Sequence, residues 1–317
     1  MKTIRVGSDF SGVGAFDFAI NRVAEQKGFK VRNVFACDWD KYARKSYLSN
    51  HDAPEYYPND VYERDVPEQP LDVYMTSPPC QGFSLAGSRM TKEDDKRNIL
   101  FYNSHEFIVK NKPRYFVFEN VRGLMSHENG STFREWINLL CGKSVNGLPV
   151  LFPHDESVPY HVYYAVLNTK KISNIPQNRE RVFIIGIRDD SDNNFRFPKE
   201  QPLITKLKDI LEDNVDEKYV VNYNQKYNDI IKQSLNQNYS TCIDASYYKG
   251  FGVRQGKCRQ VVQYKNKVRR LTPRECFRLQ GFKDDFEFVV SNSQLYKQAG
   301  NSITINVLEK ILNNLTF

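Results

Sequence analysis

The chain lacks most of the features that classify a protein at a glance. Its 317 residues include six cysteines, Cys37, Cys80, Cys141, Cys242, Cys258 and Cys276, with no CxxC pair and no histidine spacing that reads as zinc. A disulfide framework and a structural metal site are therefore not expected, and the thiols suit a reduced, cytosolic setting. No run of about 18 apolar residues occurs, so no membrane-spanning helix is expected. Met1 to Val6 leads almost directly into a strand-like run, without the anatomy of a signal peptide. Internal repeats are missing as well. These gaps point to a cytoplasmic protein.

What is present is globular in composition, 40% apolar and 26% charged, and long enough for one large α/β domain or a large domain with a smaller partner. The net charge is +7, and its distribution says more than its size. Between Lys249 and Arg278 stand ten basic residues and one acid, Glu275. Such a stripe either neutralises a phosphate backbone or forms a solvated basic face.

Along the first half, strand and helix signals alternate, which predicts a mostly parallel sheet with helices on its faces. Four short apolar runs end in polar or special residues: Asp9-Phe10-Ser11-Gly12-Val13-Gly14, Asp38-Trp39-Asp40, Ser77-Pro78-Pro79-Cys80-Gln81 and Glu119-Asn120-Val121. Helical spacing is read over 15–23, 99–109 and 133–140, and the last strongly buried strand over 182–187. Ligands of doubly wound sheets lie beyond the carboxyl ends of the strands, so these four loops meet on one rim if their strands are adjacent. From 190 to 265 the chain is rich in Asn, Gln, Lys and Tyr and reads as a smaller, irregular domain. Ile303 to Leu312 then returns to the main core as an amphipathic helix. The boundaries drawn are 1–190 for the large domain, completed by 285–317, and 191–284 for the small one.

Gly12-Val13-Gly14 falls between a strand and a helix, where glycine either lets a ligand approach the backbone or makes a tight turn. Asp38, one strand later, is placed to accept hydrogen bonds from ribose hydroxyls, and Trp39 to cover an adenine face. Ala15 and Phe16 stand where a third glycine would cradle a pyrophosphate, which favours a nucleoside-type cofactor over NAD. Cys80 follows two stiffening prolines at a strand tip, a poor core sequence and a good setting for a nucleophilic thiolate. Glu119 leaves an apolar strand, so a raised pKa suits it to donate a proton to a ring nitrogen; the alternative is a cap or salt-bridge partner. Alternation sets Arg179 and Arg181 on one side of the next strand, where they require an anionic or carbonyl-rich ligand or carboxylate partners.

Taken in order, these residues resemble the cytosine-C5 methyltransferase family, of the bacterial or phage restriction-modification type. Phe10-Ser11-Gly12-Val13-Gly14 is similar to its first motif, Asp38-Trp39-Asp40 to its second and Pro78-Pro79-Cys80-Gln81 to its nucleophile loop. Glu119-Asn120-Val121 and Gln177-x-Arg179-x-Arg181 follow in the family's order, then Arg270-Leu271-Thr272-Pro273-Arg274-Glu275 and Gln298-Ala299-Gly300-Asn301-Ser302. The match covers 3–125, 174–198 and 267–310.

The resemblance implies a Rossmann-like S-adenosylmethionine-dependent domain, a smaller target-recognition domain, and duplex DNA in the cleft between them. By family pattern Phe10, Gly12, Val13, Asp38, Trp39, Asp65, Val66, Pro79, Leu100, Asn301 and Ser302 surround the cofactor, with Asp65 near the adenine amino group. Cys80 is the nucleophile at carbon 6 of a flipped-out cytosine, Glu119 meets N3, Arg181 the base oxygen, and Arg179 positions the Cys80 loop and the base. Gln81 and Ser84 are candidates to touch DNA from a loop, 81–97, that closes over the base. Arg254, Gln255, Lys257 and Arg259 are candidate readers of a short target, with non-specific phosphate contact as the alternative. Two departures lie near the methionine end of the cofactor: Ser8 where many relatives have an acid, with Asp9 one place later, and Ala15 in place of a second glycine. A tRNA substrate with the same chemistry, or a non-catalytic nucleic-acid binder, is the rival reading. A companion restriction endonuclease belongs with the main one. A monomer is expected, since one site per chain needs no partner.

Overall fold

The computed structural model describes residues 1–79, 98–191, 193–254 and 257–317. Cys80, Gln81, Ser84 and Gln255 lie outside the described residues. The first elements are β1 (Thr3–Asp9), α1 (Ala15–Lys27), β2 (Lys30–Cys37), α2 (Lys41–Asn50), β3 (Val73–Thr76), α3 (Asn98–Asn111) and β4 (Tyr115–Val121). They continue with α4 (Ser131–Leu140), β5 (Ser144–Val145), β6 (Leu148–Pro149), β7 (Tyr160–Asn168), α5 (Thr169–Ile172) and β8 (Glu180–Arg188). All eight strands join one sheet, in the order β2-β1-β3-β4-β8-β7-β5-β6.

β1 to β4 run parallel, as the alternating signals predict, and β8 then enters antiparallel between β4 and β7. β7 has no counterpart in the sequence reading. Half-buried tyrosines and a histidine, Tyr163, Tyr164 and His161, interrupt its apolar pattern and hide the strand. In β4 and β8 nearly every side chain is buried because the sheet is covered on both faces. Tyr115, Val117, Phe183 and Ile185 join a core with α1 and the C-terminal helices. Phe116, Phe118, Val182 and Ile184 join a second core with α3 and α4. The helices start and stop for local reasons: Asp40 caps α2 by accepting from the Tyr42 and Ala43 N–H groups, and Gly28 ends α1 in a left-handed conformation.

Beyond β8 come α6 (Asn228–Leu235), two short hairpins, β9 (Val253–Arg254) with β10 (Lys257–Cys258) and β11 (Val261–Tyr264) with β12 (Lys267–Arg270), and then α7 (Pro273–Arg278), α8 (Asn292–Asn301) and α9 (Ile305–Asn313). A small core of Ile231, Cys258 and Val261, flanked by Tyr223, Tyr227 and Phe251, holds α6 and the hairpins together. Leu207, Leu271, Phe277 and Phe282, within the 191–284 span read as the small domain, pack instead into the large core.

The two regions are joined by a buried ion pair. Arg269 on β12 donates to both carboxylate oxygens of Glu275 on α7, at 2.8 and 2.6 Å, and both side chains are shielded from solvent. Glu275 also accepts from the Thr272 and Glu212 N–H groups. Arg269→Met would leave that carboxylate buried without its cation, so a loss of about 3–5 kcal/mol is expected in urea unfolding. A loss below about 1 kcal/mol would mean that the backbone donors alone satisfy Glu275.

Candidate active site

The carboxyl ends of β1, β2, β3 and β4 lie side by side, and the loops that follow them share hydrogen bonds. Gly12 N donates to Asp38 Oδ2 at 2.8 Å and Asp40 N to Asp38 Oδ1 at 2.8 Å, which fixes the carboxyl over the glycine loop. Burial pushes the Asp38 carboxyl up to about 6, with the two N–H groups pulling the other way. Phe10 and Gly12 both adopt positive φ, at 57° and 58°. Among the described residues a side chain at Gly12 would meet no atom within 4 Å, whereas one at Gly14 would overlap the His51 ring, whose nitrogen sits 3.1 Å from Val13 O. Among the described residues the loop is thus open on the Gly12 side and backed by protein under Gly14. Trp39 is 84% exposed beside it, free to lie on a planar group.

Phe10, Val66 and Leu100 are half-buried on the same apolar cluster, whereas Val13 is buried in the other core, with α1. Asp65 is exposed, as is Pro79, while Asn301 is exposed and Ser302 buried at the end of α8. His51 escaped the sequence reading because it stands 38 residues from the carbonyl it contacts.

On the next strands Glu119 and Arg181 meet: Arg181 Nε lies 3.1 Å from Glu119 Oε1. Glu119 is buried, and burial pushes its carboxyl pKa up while Arg181 and Arg179 pull it down. Its neighbour Asn120, also buried, donates from Nδ2 to Pro78 O at 3.2 Å, tying the end of β4 to the residues just before Cys80. Ser77 completes the tie by donating to Phe10 O at 3.5 Å.

Among the described residues Arg179 is held by backbone carbonyls. Its guanidinium donates to the carbonyls of Ile243, Gly300 and Ser302, at 2.9, 3.2 and 2.6 Å, and is buried among them. It braces the 240s segment against the α8–α9 junction. Gln177 does similar work, donating to Leu279 O and accepting from Ile243 N. Cys242, passed over in the sequence reading, is exposed and lies 3.5 Å from an Arg179 nitrogen and 4.0 Å from one of Arg181.

The basic stripe is smaller than it reads. Arg259 donates to Gly250 O and Ser246 Oγ, Arg274 to Phe286 O, and Arg278 to both Asp284 oxygens and Ile210 O. With Arg269 these side chains hold the fold together. Arg259, half-buried, thus braces the 246–252 loop. The backbones of Arg254 and Lys257 pair across the β9–β10 hairpin. Lys249 and Lys265 are exposed.

The mixed α/β sheet carries a glycine loop, a carboxylate fixed over it and an acid–arginine pair along one rim, on the fold of a methyltransferase. The chain belongs to the C-5 cytosine-specific DNA methylase family, whose model matches residues 4–316. It is 34% identical to the Type II methyltransferase M.Bsp6I of Bacillus sp. (strain RFL6), over 98% of each chain. It is 32% identical to M.SsoII of Shigella sonnei, another Type II methyltransferase, over 96% of this chain and 79% of that one. The fold is shared with the S. pombe Dnmt2 methyltransferase, at TM-score 0.69, 19% identity and 98% coverage of both chains. This family membership favours DNA over tRNA as the substrate. Among the described residues no helix is long and apolar enough to cross a membrane.

Proposed function

We propose that the chain transfers a methyl group from S-adenosylmethionine to carbon 5 of a cytosine flipped out of a short duplex DNA target, beside a companion restriction endonuclease. The observation that carries this reading is the convergence on one rim of the Gly12–Asp38 contact and the Glu119–Arg181 pair, with Asn120 tying β4 to the Cys80 loop. Gly12, Val13, Asp38, Trp39 and the Phe10–Val66–Leu100 wall would hold the cofactor, which supplies an electrophilic methyl on its sulfonium.

Carbon 5 of cytosine is a poor nucleophile. As the Cys80 sulfur bonds to carbon 6, the C5–C6 electron pair moves to carbon 5 and charge gathers at N3, where a protonated Glu119 donates. Arg181 holds Glu119 in place and reaches for the base oxygen. After alkylation water takes the carbon 5 proton, the freed pair re-forms the C5–C6 double bond and expels the Cys80 thiolate, and N3 returns its proton to Glu119. Residues 220–270 would face the DNA, with Arg254, Gln255, Lys257 and Arg259 the reader candidates.

The test is transfer of labelled methyl to duplex DNA and to tRNA in parallel. Label in DNA cytosine supports the reading; label in tRNA alone overturns the substrate. The acid limb gives a further prediction. The folded Asp38 value of about 6 lies above its ordinary 3.8, so folding takes up a proton between these values. Acidification through that window strengthens the native state through this group while removing a carboxylate acceptor. Cofactor affinity is therefore expected to weaken from pH 7 to pH 5 as apo stability gains from Asp38. Isothermal titration at both pH values checks this, with Asp38→Asn expected to bind weakly and without that pH dependence.

A further inference from the structure

Between α2 and β3 the chain runs from 51 to 72 without a helix or strand, yet it carries Asp65 and Val66. α3 fastens this segment at both ends. Asn103 Nδ2 donates to Val61 O at 3.1 Å, and Asn111 Nδ2 to Pro67 O and Gln69 O at 2.9 and 3.2 Å. Asn103, Phe107 and Asn111 are four residues apart and line one face of the helix.

The middle of the segment is held by Arg64. Its Nε donates to Asp9 Oδ1 at 2.8 Å, with side-chain exposures of 2% and 0%. Its other nitrogen reaches Asn103 Oδ1 at 3.0 Å, and its plane lies 4.4 Å from the Phe107 ring centre. Tyr74 on β3 donates to the remaining Asp9 oxygen at 2.6 Å. Three elements thus meet here: β1 with Asp9, α3 with Asn103 and Phe107, and β3 with Tyr74.

A buried ion pair is weak evidence for stability, because apolar residues of similar volume often serve as well. What this pair has is direction. Asp9 immediately precedes Phe10, which is held at positive φ, and Arg64 immediately precedes Asp65 and Val66. One contact fixes the backbone at two points of the cofactor wall that lie 55 residues apart.

We infer that Arg64 is a positioning residue, which through Asp9 sets the Asp65–Val66 side of the cofactor site against the Phe10–Gly14 side. The inference rests on the cofactor reading above. Lysine at this position still reaches Asp9 but lacks the planar fork that also holds Asn103. Leucine at 9 with methionine at 64 fills the space and removes the charges.

The experiment measures S-adenosylmethionine binding to the full chain by calorimetry, with KM, kcat and thermal midpoint, for wild type, Arg64→Lys and the Asp9→Leu/Arg64→Met double variant. Both variants are expected to bind the cofactor about ten- to a hundredfold more weakly, with KM raised in step and kcat at saturation within about twofold of wild type. Hydrogen exchange over residues 57–68 is expected to quicken in apo Arg64→Lys. A folded double variant, or a folded Arg64→Lys, that binds like wild type would show the pair to be structural only and overturn the inference. If the double variant does not fold, Arg64→Lys decides alone. Wild type that fails to bind the cofactor would overturn the cofactor reading itself, and this inference with it.

Discussion

Cys80→Ser is expected to lower methyl transfer to duplex DNA by roughly ten-thousandfold or more, with cofactor binding kept. A serine hydroxyl at neutral pH is a far weaker and harder nucleophile than a thiolate, and without the carbon 6 adduct carbon 5 does not attack. Asn120 anchors the strand before Cys80 through Pro78 O and is untouched by the change, so the loop's root stays in place. Denaturing electrophoresis of enzyme with DNA carrying 5-fluorocytosine checks it: wild type should be trapped as a covalent complex and the serine variant should not. A serine variant that retains more than about a tenth of the rate would remove Cys80 from the mechanism.

Glu119→Gln should cost between about a hundred- and ten-thousandfold in kcat. Glutamine keeps the size and a donor, and loses the proton. Because burial raises the Glu119 pKa in the folded state, its ionised form opposes folding, and the stability tied to its protonated form is lost as pH rises through the folded value. Glu119→Gln is therefore expected to unfold no more readily than wild type in alkaline buffer, and its kcat to lose the alkaline limb that Glu119 imposes. Stopped turnover with intact or improved stability separates the proton's role from a structural one. A variant that turns over normally would assign the donor to another group.

Much of the rim was legible because its strands are buried on both faces. Runs such as Tyr115-Phe116-Val117-Phe118 stand out, and the polar residue that follows each run marks its carboxyl end. The same rule explains the failure at β7, where Tyr163 and Tyr164 are only half-buried and no continuous run exists. Leu271, Cys276 and Phe277 belong to the large core but are interleaved with Arg270, Arg274 and Arg278, so the segment reads as a basic surface. Arg179, just before β8, and Arg181 on it both approach Cys242, yet periodicity says nothing of the carbonyls of Gly300 and Ser302 that hold Arg179 from more than a hundred residues away. Asn120 stood inside a quoted motif, and its contact with Pro78 needed the adjacency of β3 and β4 to become visible.

The commitment of Arg259, Arg269, Arg274 and Arg278 to internal partners has a consequence for how the protein travels on a chromosome. Each phosphate neutralised steepens the fall of log affinity with log salt by about 0.9. A surface that has turned so many of its guanidinium groups inward meets few phosphates, so its grip on random sequence is expected to be weak and to change little as ionic strength rises. Preference for its target is then expected to rest on contacts to the target itself, which raised salt leaves largely standing.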